Sequence, residues 1–155
     1  MKTYFAAVGL AAGLAQPAAA ITFPSLTTIY VGMGVKDSGN TPSAGFATVF
    51  QCANVSGQTA TVRFLVLDFD STVRGSSTRN VPHGANVGVS THITAFHFED
   101  AALAAGTVII RGTVNIESTQ SGVFCQAFLV DASAVLPGGV PLDLVRVNPH
   151  PGTVE

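Results

Sequence analysis

Four histidines follow the first twenty residues of this 155-residue chain: His83, His92, His97 and His150. His92 and His97 stand near Glu99 and Asp100. Imidazole and carboxylate together are a donor set for zinc, or an acid–base pair. Along an extended strand His97 and Glu99 share a face, whereas His92 and His97 differ in parity and point apart. Helical His-x-x-x-His spacing and paired Cys/His spacing are both missing from the sequence, and they are the strong zinc signals. A sandwich enzyme of the superoxide dismutase kind needs a close His-x-His, which is also missing. Asp68 and Asp70 place two carboxylates on one strand face beside Ser71. A calcium loop uses more oxygens than these, and the simpler reading is a strand end with a charged turn. Glycoside hydrolysis needs a carboxylate pair across a cleft, and no pair is marked. The chain has no Gly-x-Ser-x-Gly turn to raise a nucleophile. The pattern therefore predicts no catalytic residue, no metal ligands and no cofactor. The competing reading is a metal-dependent binder or enzyme using His92, His97 and Glu99 or Asp100.

Carbohydrate modules commonly present flat aromatic rings. This chain has no Trp, and Tyr30 is its only Tyr beyond the leader, so that role would fall to Phe. Most of the ten Phe fall within β-type runs and read as core. Asn54-Val55-Ser56 is an acceptor sequon, meaningful in a eukaryotic secretory pathway.

The two cysteines carry the firmest chemistry. Cys52 shares strand parity with Phe46, Thr48 and Phe50, and Cys125 with Val123, Ala127 and Leu129. Both read as inward-pointing and mid-strand. The start of the chain supplies the redox context. Lys2 precedes an apolar run over 4–15, Gln16 and Pro17 break it, and Ala18, Ala19 and Ala20 close it with small residues. This is the layout of a cleavable secretory signal over 1–20, with a mature chain beginning near Ile21. In an oxidising compartment the two thiols are expected to bond, bridging strands of facing sheets. A Cys-x-x-Cys redox spacing is not present.

Residues 21–155 are one domain's worth of chain. They carry six Lys/Arg against nine Asp/Glu, a net of −3. That balance and the lack of any basic cluster exclude a nucleic-acid partner. The mature chain has no apolar run of transmembrane length. Charged residues make up only 10% of the chain, which weakens the usual defence against edge-to-edge pairing and leaves self-association open.

The elements that must position these residues are strands. β-type runs fall at 26–31, 46–53, 59–68, 79–81, 86–91, 93–98, 107–117, 123–131 and 142–147. Turn signals separate them, including Asn54 to Gly57, Pro82-His83-Gly84 and Pro137-Gly138-Gly139. Residues 70–77 read as polar turn. Such spacing is the mark of a sandwich or barrel. The one helical candidate is a short turn over 99–105, with acidic residues at its start and Gly106 at the C-cap position. Residues 148–155 read as an exposed Pro-rich tail.

A disulfide joining an early and a late strand resembles the immunoglobulin-like arrangement. The chain has no Trp to pack on the bridge and carries Val123 where the corner tyrosine would stand, so the resemblance is to architecture alone. Residues 52–57 (CANVSG), 61–64 (TVRF), 81–84 (VPHG), 95–100 (AFHFED), 112–116 (GTVNI) and 123–131 (VFCQAFLVD) resemble small secreted bacterial proteins of unassigned activity. Their order is also similar to adhesion-type and fibronectin-like modules. The expectation is an all-β, antiparallel, Ig-like sandwich of seven to nine strands with one short helical turn. It is secreted or periplasmic and acts as a structural or adhesion-like interaction module toward a protein or surface partner. A further alternative is a fimbria-like subunit assembled by strand exchange.

Overall fold

The computed structural model of the chain describes residues 21–39, 42–104, 106–136 and 138–147. The expected leader over 1–20, the expected tail over 148–155 and His150 lie outside the described residues. The described residues form ten strands: β1 (Thr22–Ser38), β2 (Phe46–Asn54), β3 (Ala60–Leu67), β4 (Val73–Val81), β5 (Asn86–Ser90), β6 (Ala101–Ala102), β7 (Val108–Gln120), β8 (Val123–Asp131), β9 (Gly139–Leu142) and β10 (Leu144–Arg146). They make two five-stranded sheets, ordered β10-β1-β7-β3-β4 and β6-β5-β2-β8-β9. All pairings are antiparallel except the short β5–β6 contact. The all-β sandwich expected from the sequence is the fold observed.

β3 shows why these residues make a sheet. Ala60, Val62, Phe64 and Val66 are fully buried, and the residues between them reach the surface. Strict alternation of β-branched and aromatic residues suits a strand with one face on a core. Phe64 meets Phe50 of the opposite sheet with ring centroids 6.3 Å apart, and Ile29, Val114 and Ile116 fill in around them.

Four details differ from the sequence reading. First, β1 runs on to Ser38 instead of stopping at Val31. Gly34 takes φ +84° at a register shift between Met33 and Val35, so the glycines accommodate a bulge without ending the strand. Second, the expected helical turn over 99–105 is not formed in the described residues, where Ala101 and Ala102 pair with Val89 and Ser90. A run this short cannot offset helix nucleation, and its acidic groups bond elsewhere, as described below. Third, residues 93–98 form bends rather than a strand, and Val73–Ser77 belong to β4 rather than to a turn. Fourth, the last run divides at Asp143: β9 pairs with β8 of one sheet and β10 with β1 of the other. That crossing, with β6, takes the count to ten. It also carries Leu142 and Leu144 against the core along one flank. Along the opposite flank the Leu103 backbone crosses β4 so closely that a Cβ on Gly75 would sit 1.6 Å from the Leu103 carbonyl oxygen.

The disulfide is present between Cys52 and Cys125, but its placement corrects the expected bridge across the core. The two residues are direct partners on adjacent strands β2 and β8 of one sheet, with Cα atoms 4.1 Å apart. That separation is close to the narrow ~4.5 Å spacing of antiparallel pairs. The parity reading was sound, since Cys52 is core-facing and Cys125 packs against the same cluster. Parity specifies a face, however, and not which strand lies alongside.

Candidate functional site

The structure separates the residues singled out for metal or acid–base chemistry. His92 is buried, with 1% of its surface exposed, at the end of the sandwich beside β1. Its Nδ1 lies 2.9 Å from Asp37 Oδ2 and its Nε2 lies 3.0 Å from the Ala44 carbonyl oxygen. Both ring nitrogens therefore have a partner inside the protein. Asp37 is fully buried and accepts the Gly39 N–H through Oδ1 at 2.6 Å. This buried pair was not foreseen, because residues 37 and 92 are far apart in sequence. His97 sits on the surface, its ring edge-on to Phe96 at 5.5 Å. Glu99 accepts the Thr94 hydroxyl at 2.5 Å and the Thr94 N–H at 3.2 Å. Asp100 accepts the Gly88 N–H at 2.9 Å. Among the described residues no group of three His, Cys, Asp or Glu side chains is placed to hold a metal ion.

The remaining candidates also serve the scaffold. Asp68 is buried and pairs with Arg74, Oδ2 accepting Nη2 at 2.6 Å, while Oδ1 accepts the Phe69 N–H. Asp70 accepts the Thr72 N–H at 3.0 Å. Hydrogen bonds from the Thr72 backbone and side chain hold its carboxyl below the usual range. His83 Nδ1 accepts the Gly57 N–H at 3.1 Å. Asn54 of the sequon is fully buried. Its amide donates to the Gln58 and Val81 carbonyls at 2.7 Å each and accepts the Ser56 N–H, so a folded domain presents no acceptor amide there.

What the structure does bring together is a groove of about 530 Å³ on the outer face of the β6-β5-β2-β8-β9 sheet. A smaller hollow of about 350 Å³ adjoins it, sharing Gln51, His97 and Gln126. The combined size is that of a small-molecule site, ~300–1,000 Å³. Strand register builds the floor. Gln51 of β2 stands opposite Gln126 of β8 and Gly88 of β5, and Ala53 stands opposite Phe124 and Asn86. Gln126 Nε2 donates to Gln51 Oε1 at 3.1 Å. This leaves Gln51 Nε2 and Gln126 Oε1 without a hydrogen-bond partner among the described residues. A Cβ added to Gly88 would touch nothing within 4 Å, so the glycine keeps that part of the floor open.

Residues 91–100 form the wall. The His92–Asp37 pair anchors one end. Ala95 N–H donates to the Ala132 carbonyl, and Asp100 N–H donates to the Gly88 carbonyl at 2.7 Å. These bonds lay the segment over Ala47, Val49, Val130 and Ala132, a small second core on the outer face of the sheet. They also leave Phe98 on the rim, 90% exposed and with φ +50°. A left-handed backbone at a residue other than glycine costs of order 1–3 kcal/mol. Phe96 and Phe124 are exposed along the same groove. Five of the nine phenylalanines beyond the leader are exposed, which overturns the reading of most Phe as core. On β8 the sequence held a signal: Phe124 has the opposite parity to Cys125. Phe96 and Phe98 gave none, because their segment is not a strand.

No family model, no curated protein and no solved structure matches the chain. Fold and groove define a disulfide-bonded β-sandwich with an aromatic-rimmed, amide-floored groove on one outer sheet face. No helix among the described residues is long and apolar enough to cross a membrane. The disulfide fits an extracellular or periplasmic setting.

Proposed function

We propose that this chain is a secreted recognition module that binds through the groove over Gln51 and Gln126. The observation that carries the reading is Phe98. An aromatic side chain is held almost wholly in solvent by a backbone conformation that disfavours it, beside two amides that bond each other and each keep one polar atom free for a ligand. Such an outlier has no role in packing and points to a contact made with something else. The leader-like residues at 1–20 and the Cys52–Cys125 bond support export.

The reading is tested with Gly88→Leu and Phe98→Ser. Gly88→Leu fills the floor from a position whose Cβ meets no protein atom. Phe98→Ser removes an exposed ring. Both variants should melt with the native protein. The mature chain should be retained on immobilised insoluble cell-envelope and extracellular-matrix polymers, and both variants should wash through. Retention of Gly88→Leu equal to that of the native chain would remove the groove from the function.

A further inference from the structure

Building on the groove as the binding site, we infer that its ligand is a neutral oligosaccharide. The main chain of β2 is bonded on both sides, to β5 and to β8, so an extended peptide finds no strand edge at the floor. Recognition there falls to side chains. Gln51 Nε2 offers donors and Gln126 Oε1 an acceptor, side by side on one flat floor. That alternation matches neighbouring hydroxyls, each of which gives and takes a hydrogen bond. Aromatic rings flank the amides: Phe124 on the floor strand, Phe96 and Phe98 on the wall. Sugar rings carry an apolar C–H face that rests on such surfaces while their hydroxyls reach the amides. Arg146 lies over Phe124 with its guanidinium 5.2 Å from the ring centroid, which braces that ring as a platform.

Charge decides the class of sugar. Neither Lys nor Arg lines the groove or the adjoining hollow, and Asp100 contributes a carboxylate. The Arg146 guanidinium on the Phe124 ring is engaged by the Ser121 carbonyl and that of Arg79 by the Asp100 carbonyl, so on the lining itself an anionic ligand such as a uronate or a phosphorylated glycan would meet one like charge and no cation. The adjoining hollow extends the floor past Gln51 and Gln126, so the ligand is a chain of several sugars rather than one ring.

The experiment uses the ¹⁵N-labelled mature chain with its disulfide intact. It is titrated separately with neutral gluco-, xylo-, manno- and N-acetylglucosamine oligosaccharides, with oligogalacturonate, and with a mixture of unstructured peptides. A neutral oligosaccharide should shift the side-chain amide signals of Gln51 and Gln126 and the backbone signals of Gly88 and Phe98. Phe124→Ala should weaken that binding about tenfold, the worth of one aromatic contact. Phe98→Ser should weaken it similarly without changing the melting temperature. Shifts at these residues with oligogalacturonate alone would overturn the neutral class, and shifts with peptide alone would overturn the sugar assignment; either would leave the groove as the binding site. Silence of these residues toward every probe would overturn both.

Discussion

Replacing His92 with leucine should unfasten the groove wall from the sandwich. Asp37 is fully buried and His92 nearly so, and the pair is joined at 2.9 Å. Among the described residues His92→Leu removes the one side chain bonded to Asp37 Oδ2, and it also strips the Ala44 carbonyl of its 3.0 Å partner. Removing one member of a buried pair costs about 3–5 kcal/mol, because the other is left without compensation. That is a large part of a typical ~5–15 kcal/mol total. For a domain of this size the loss corresponds to a fall in Tm on the order of 10–20 °C. Asp37→Asn is the informative partner variant. The asparagine amide donates to Nδ1, its oxygen still accepts from Gly39, and neutral His92 keeps its Nε2–H for Ala44. Every bond survives, so Asp37→Asn should cost about 1 kcal/mol or less. Urea unfolding of both variants measures the difference. Equal losses in the two variants, or a His92→Leu loss under about 1 kcal/mol, would refute the view that this pair is a satisfied buried unit.

Three other outcomes follow from the fold. Replacing both Cys52 and Cys125 with alanine should cost about 4 kcal/mol in urea unfolding, since the bridge spans 73 positions of sequence; a cost below about 1 kcal/mol would show the closed loop to be immaterial. Gly75→Ala should lower stability by about 2–3 kcal/mol or more, because the new methyl meets the Leu103 backbone rather than a movable side chain; a variant that melts with the native protein would contradict that close approach. The Asp131 carboxyl is held below its usual range, first by the Ser133 hydroxyl and then by the Ser133 N–H. Its folded value lies below its unfolded one, so its contribution to stability is present above the unfolded value and fades as pH falls through the folded one. Ser133→Ala should move the Asp131 titration upward in a carboxyl NMR titration, and an unmoved curve would reject the hydroxyl as the main cause.

The sequence by itself determined the class of the fold. Alternation along β3, with turn residues between the runs, suffices for two-layered strands, because side-chain period is a local property. Parity also fixed Cys52 and Cys125 as inward-facing. Local pattern failed where the chain is held by partners remote in sequence. Residues 93–98 are apolar enough to read as a strand, yet bonds to Ala132 and the pairing of His92 with Asp37 hold them as a wall. The acidic start of the expected helical turn is drawn off by Thr94 and Gly88. Only tertiary structure decided that the disulfide lies within a sheet, since neighbours in a sheet are set by topology and not by parity. The groove was hidden for the same reason. Its floor takes Gln51, Gly88 and Gln126 from three strands in register, and no single stretch of sequence contains that adjacency.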